Sequence, residues 1–182
     1  MEFYQYEETN NIRRAVNWIV QTAVVISLAW FCVFAYGTGA VNTGQSMQPV
    51  IGNGEVSLQD RILYHFKNPA RYDVIVFRSR DGKNNIKRII GLPGETVQIK
   101  DGKVLIDGKV PEGRESVAVP VSIAGLASEP VKLTQNEYFV LGDNRDASED
   151  SRFESVGNIK REQIAGKLWV RISPVIRFGL IR

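Results

Sequence analysis

The hydroxyl of Ser46, in the run Gly44-Gln45-Ser46-Met47-Gln48-Pro49, is a candidate nucleophile. A serine hydroxyl attacks effectively only when a base stands within hydrogen-bond reach. Taken alone, a serine between glycine and proline is ordinarily a turn residue. The bases available to it are the one histidine, His65, and the lysines. Lys87 stands out because Ile86 precedes it and Ile89-Ile90 follow. In a strand, Lys87 and Ile89 share one face, while Ile86, Arg88 and Ile90 share the other. Lys87 can therefore point into an apolar interior. A free lysine, with a pKa of about 10.4, is almost wholly protonated at neutral pH. Burial penalises the cation and lowers that value, at about 1.4 kcal/mol of folding stability per unit. The same stretch, read alone, equally allows a solvated surface lysine.

A third cluster is Gly142–Arg152, GDNRDASEDSR, which packs Asp143, Asn144, Arg145, Ser148, Asp150 and Arg152 into eleven residues. Such a run is usually a charged surface loop. Its interleaved charges could instead form a rigid hydrogen-bonded turn that holds a neighbouring side chain in place.

These groups need a scaffold. From Ala15 to Tyr36 the sequence carries no charge, and a helix of about 20 such residues crosses a hydrocarbon core. Trp18, Trp30 and Tyr36 suit interfacial depths. Ala35 and Gly37 present a small-x-small pattern, but the apolar stretch exceeds the about 7–15 residues of a cleavable signal core, so an uncleaved anchor is expected. Arg13 and Arg14 precede the span, and Arg61 is the next basic residue after it. The positive-inside rule then makes 1–14 cytoplasmic, 15–36 a single transmembrane helix, and 37–182 an extracytoplasmic domain at the cell membrane.

After the anchor, residues 37–42 read as a short flexible link. Residues 72–78, 87–92, 96–100, 104–106, 137–141 and 167–172 read as strands. Asp101-Gly102 and Asp107-Gly108 mark hairpin turns. Residues 110–133, rich in Pro, Gly and Ser, read as a loop or an extra hairpin. No long amphipathic helix follows residue 40. The expectation is a mainly β fold, a single β-rich catalytic domain with one core, preceded by one N-terminal transmembrane helix.

Composition narrows the chemistry. Hydrophobic residues make up 43% and charged residues 24%, with a formal net charge of +3, as in a globular protein. Basic residues are scattered among acidic ones, which argues against nucleic acid as a partner. One cysteine, Cys32, and one histidine exclude a structural zinc site of the usual kind. No metal and no organic cofactor is expected.

The chain resembles the bacterial type I signal peptidases. The resemblance rests on four blocks: GQSMQP at 44–49, YDVIVF at 72–77, IKRIIGLPGE at 86–95 and GDNRDASEDSR at 142–152. With the apolar segment they cover most of the chain, in the family's order and spacing. The resemblance implies that Ser46 is the nucleophile and Lys87 the general base. It implies that Ser148 orients the lysine, that Asp150 and Arg152 form a bracing ion pair, and that Asp143, Asn144 and Arg145 form the supporting turn. It also implies secretory preproteins with small residues at positions −1 and −3 as substrates, and a lipid bilayer as the setting. A monomer is expected. The backbone N–H of Ser46 is the expected oxyanion donor, with Gly44 at the position where some members carry a helping hydroxyl. Met47 and Ile86, adjacent to the dyad in sequence, are expected as pocket walls. Ala147 stands where the family often has Asn, and Tyr72 where it commonly has Gly.

Three rival readings remain. One is a Ser-His hydrolase built on His65. Another is a catalytically inactive, membrane-anchored β-domain that binds an extracellular partner. The third, a self-cleaving Ser-Lys repressor relative, fits poorly with the anchor and with the lack of a DNA-binding element.

Overall fold

A computed structural model describes residues 3–36, 38–111 and 119–181, with the side chains of the first helix described over 11–31. The expected small-x-small position Gly37, the side chain of Tyr36, and part of the 110–133 segment lie outside the described residues. The chain divides into two compact units, Met1–Gly37 and Thr38–Arg182.

The first unit is one helix, α1, over Phe3–Tyr36. Its membrane-compatible stretch is Asn11–Phe31, 21 residues with a mean hydropathy of 1.3 and none of it buried. At about 1.5 Å per residue that stretch is about 31 Å long, the thickness of a bilayer's hydrocarbon core.

The second unit is built of antiparallel strands: β1 (Thr38–Val41), β2 (Val56–Asp60), β3 (Val74–Arg78), β4 (Asn84–Gly91), β5 (Thr96–Lys100), β6 (Lys103–Ile106), β7 (Val131–Lys132), β8 (Glu137–Leu141), β9 (Ile159–Lys160), β10 (Ile164–Ser173) and β11 (Gly179–Leu180). One helical turn, α2 (Leu63–Phe66), follows β2. The large sheet has the order β1-β2-β10-β3-β4-β8-β9, with β11 added beside β10, and a small sheet has the order β6-β5-β7. Lys100 pairs with Lys103 across Asp101-Gly102. Both turn residues have positive φ, 52° and 73°, the geometry that makes Asp-Gly a hairpin signal.

Two expectations are corrected. The segment expected as a flexible link contains β1, which pairs with β2 from Thr38↔Gln59 to Val41↔Val56. Thr38 and Val41 favour extended backbone, but the intervening glycine hides the pattern. Residues 42–55, which include Ser46, are therefore the loop of a β-hairpin. The single expected core is also three apolar clusters, centred on Ile90, Val97 and Phe139, on Ile75, Ile89 and Val140, and on Met47, Val76 and Ile86. The reason is that β3 and β4 are buried on both faces along most of their length, so the sheet separates apolar layers.

Candidate active site

The 42–55 loop is shaped by bonds to its own backbone. Asn42, 2% exposed, closes the neck: its amide N–H donates to the Glu55 carbonyl at 3.0 Å, and its carbonyl accepts from Gly54 at 2.8 Å. Its side-chain Nδ2 donates to the carbonyls of Ile51 at 3.1 Å and Gly52 at 3.0 Å. Within the loop, Gln48 N–H bonds Gln45 O at 3.1 Å and Ile51 N–H bonds Met47 O at 2.8 Å. The chain thus winds through a compact turn just after Ser46. Met47 is fully buried and Ser46 half-buried, so burial of one side chain sets the direction of the next.

Lys87 lies mid-strand in β4, opposite Ile75 of β3. Directly opposed residues share a face, so Lys87 stands with Ile75, Phe77 and Ile89 over an apolar layer. It is 5% exposed, and its Nζ and Ser46 Oγ form a hydrogen bond of 2.9 Å. Burial pushes the Lys87 pKa below its ordinary value of 10.5, against the opposing pull of Asp150, Glu149 and Asp143. The amine and hydroxyl open on a groove of about 510 Å³, bordered also by Gly44, Asn85, Ala147, Glu149 and Val156.

The 142–152 segment follows β8, which pairs with β4 at Arg88↔Leu141. That register delivers Gly142 and Asp143 beside Ser46 and Lys87. Asn144 N–H donates to the Ser46 carbonyl at 3.0 Å, linking this loop to the Ser46 turn. Asp150 and Arg152 are both buried and meet twice, Nε to Oδ1 at 2.8 Å and Nη2 to Oδ2 at 3.0 Å. Arg152 also donates to the carbonyls of Arg145 at 2.6 Å and Ser148 at 3.2 Å, while Asp150 accepts from Gly142 N–H at 3.1 Å. A buried ion pair adds little net stability over apolar packing; here its extra hydrogen bonds fix the course of the loop. Arg145 is itself buried. Ser148 Oγ is buried and has no hydrogen-bond partner among the described residues.

Other expected site residues fall elsewhere. Met47 and Ile86 do not wall the groove. Both lie in the cluster with Ile51, Val74, Val76 and Leu168, because Ile86 projects from the face of β4 opposite Lys87 and Met47 turns inward from the loop. Gly44 does not offer an oxyanion donor, since its only N–H donates to Asn53 Oδ1 at 2.8 Å. The Ser46 N–H, in contrast, donates to no acceptor among the described residues. His65 is exposed on α2, with Nδ1 3.1 Å from the Arg61 carbonyl, and it does not border the groove.

Two residues with a part in the site escaped the sequence reading. Asn42 was hidden in the expected link. Arg88, 1% exposed, grips Asp143 with Nε to Oδ1 and Nη2 to Oδ2, each 2.7 Å, and donates through Nη1 to the Tyr72 carbonyl at 2.8 Å. A cation on the apolar face of a buried strand was the signal, since it requires an acid partner. Tyr72 has a φ of 72°, a left-handed conformation that costs a non-glycine residue roughly 1 kcal/mol. That geometry accounts for the suitability of glycine at this position.

A family model described as signal peptidase, peptidase S26, matches residues 15–173. A probable signal peptidase I-2 from Synechocystis sp. is 37% identical over 143 residues, 75% of this chain and 63% of its own length. The chain thus spans under two thirds of that relative. A signal peptidase I from Leptolyngbya laminosa is 38% identical over 144 residues, 74% of this chain and 68% of its own. A signal peptidase I from Bacillus licheniformis is 34% identical over 170 residues, 88% of this chain and 89% of its own.

Proposed function

From the premise that the chain belongs to the signal peptidase family, peptidase S26, we propose that it is a membrane-anchored serine endopeptidase that removes signal peptides from secretory preproteins, with Ser46 as nucleophile and Lys87 as general base. The observation that carries the dyad is the 2.9 Å bond between Lys87 Nζ and Ser46 Oγ, made by a buried amine whose charged form burial disfavours.

The neutral amine accepts the Ser46 proton as Oγ attacks the carbonyl carbon before the scissile bond. The Ser46 N–H, which has no acceptor among the described residues, receives the developing oxyanion; one such preorganised donor contributes about 3–4 kcal/mol. The Lys87 ammonium then gives its proton to the departing amine as the C–N bond breaks. Lys87, neutral again, takes a proton from water as the water oxygen attacks the acyl carbon, then returns that proton to Ser46 Oγ as the ester C–O bond breaks, which frees the acid product and restores both groups. Asp150–Arg152 and Asp143, with Arg88, hold the loop beside the dyad; Ser148, whose Oγ makes no hydrogen bond among the described residues while the amine is held by Ser46, is the group assigned to orient the amine once Ser46 Oγ is acylated. Preproteins with small residues at −1 and −3 enter the groove extended. The Asn11–Phe31 helix, with Arg13 and Arg14 at its start, anchors the enzyme with its N-terminus in the cytoplasm and residues 38–182 outside. Tethering both enzyme and substrate to one membrane raises their effective concentration.

The test is cleavage of a preprotein with an Ala-x-Ala site by the detergent-solubilised wild type, Ser46→Ala and Lys87→Ala. Cleavage by the wild type and loss in both variants is expected. Cleavage that persists in a folded Ser46→Ala protein rejects the proposal. Accessibility of single engineered cysteines on the two sides of the span tests the orientation.

A further inference from the structure

The hairpin formed by β10 and β11 reaches the nucleophile loop through two arginines. β11 folds back on β10 with Val170↔Leu180 and Arg171↔Gly179, and the intervening turn, Val175–Arg177, carries Arg177. Its Nη2 donates to the Pro49 carbonyl at 2.9 Å and its Nη1 to Glu55 Oε1 at 2.5 Å. Arg171, on β10, donates through Nη1 to the Val50 carbonyl at 2.6 Å and to Glu55 Oε2 at 3.4 Å, and through Nε to the Arg177 carbonyl at 2.5 Å. Glu55 is 5% exposed, and a buried carboxylate requires such partners.

The carbonyls held here belong to the residues three and four positions after Ser46, at the end of the same turn. The start of that turn is held by Asn144 on the Ser46 carbonyl, and its far end is braced from within the loop by Asn42 Nδ2 on the carbonyls of Ile51 and Gly52. Among the described residues, the side chains that reach the Pro49 and Val50 carbonyls from outside the loop are these two arginines. The side chain of Arg177 is 43% exposed, so its ion pair contributes little to global stability. Its two directed bonds do restrict where the turn lies. A displacement of the turn moves Ser46 Oγ relative to Lys87 Nζ, and a misplacement of about 1 Å costs on the order of 100-fold in rate.

We propose that Arg177, supported by Arg171 and Glu55, is a positioning residue that fixes the nucleophile turn from the C-terminal hairpin. The inference rests on the Ser46–Lys87 reading above. It is tested with the full-length detergent-solubilised protein, by comparing preprotein cleavage and thermal unfolding of the wild type, Arg177→Met and Arg177→Lys. The expected result is a fall in kcat of about tenfold or more in Arg177→Met, with KM within about twofold and unfolding nearly unchanged, and partial recovery in Arg177→Lys. An unchanged kcat overturns the proposal, as does a loss carried by KM, or a loss that vanishes at a lower temperature where the variant is fully folded. Should Arg177→Met fail to fold, Arg177→Lys decides: a lowered kcat at constant KM supports positioning, and a wild-type kcat overturns it. Failure of the underlying reading is separable, because the wild type then does not cleave or Ser46→Ala does.

Discussion

Replacing Gly142 with alanine places a methyl carbon 2.2 Å from Ser148 Oγ, 2.5 Å from Ser148 Cβ and 2.5 Å from the Ser46 carbonyl oxygen. Ordinary contact begins at 3.4 Å, so the neighbours must retreat by about 1 Å, a displacement that costs on the order of 100-fold when it reaches reacting groups. Neither neighbour is free to move. The Ser148 carbonyl is held by Arg152 at 3.2 Å, and the Ser46 carbonyl is held by Asn144 at 3.0 Å. Gly142 is itself tied to Asp150 through its N–H. Overpacking of this kind typically costs about 1–3 kcal/mol of stability, which a folded domain can survive. The expected outcome for Gly142→Ala is thus a protein that still unfolds cooperatively, with kcat/KM lowered by about 100-fold. Preprotein cleavage and denaturant unfolding, measured on the same preparation, provide the check. A variant with wild-type kcat/KM and wild-type stability would refute the reasoning, since the crowding around Gly142 would then exert no constraint on the dyad.

Lys87→Met removes a buried amine whose pKa is lowered by burial. Between that lowered value and the ordinary 10.5, the unfolded chain binds the extra proton, so wild-type stability rises with pH. The variant should be inactive yet more stable, with a gain that is largest at neutral and acid pH and shrinks as pH approaches 10.5; a gain that does not vary with pH contradicts this. For the same reason, the wild-type cleavage rate should climb with pH on an acid limb whose midpoint lies below the ordinary lysine value, as a rate–pH profile would record. Asp143→Ala leaves Arg88 buried without its acid and should destabilise by about 3–5 kcal/mol in denaturant unfolding; a loss under about 1 kcal/mol would mean that the pair is not sealed from water. Ser148→Ala deletes a buried hydroxyl that has no partner among the described residues, so unfolding should change by less than about 1 kcal/mol while cleavage falls. A large stability loss would reveal a hydrogen bond to Ser148 Oγ.

The parts of the molecule legible in the sequence were those governed by local rules. Asp101-Gly102 specifies its turn through backbone conformation alone, and the uncharged run before Tyr36 announces a helix long enough to span lipid. Lys87 stood out because alternation in a strand is a local property. What alternation cannot supply is the far side of a contact. Ile86 and Met47 adjoin the dyad in sequence but face away from the groove, since a strand sends consecutive side chains to opposite faces and the loop turns Met47 inward. Arg88 and Asp143 lie 55 residues apart, and only the β4–β8 register brings them together. The N–H of Gly44 is consumed by Asn53, a bond set by how the loop closes. β1 was missed because its glycine and short length mimic a linker until its pairing with β2 is known.

The bonds from Arg171 to Val50 and from Arg177 to Pro49 span 121 and 128 residues of sequence. The loop around Ser46 is therefore fastened only once the β10–β11 hairpin has folded against it, and contacts of such long sequence separation form late because loop-closure entropy opposes them. Until that hairpin docks, the Ser46 hydroxyl and the Lys87 amine are both present in the chain while their loop is unfastened, so their mutual placement depends on contacts made far along the sequence.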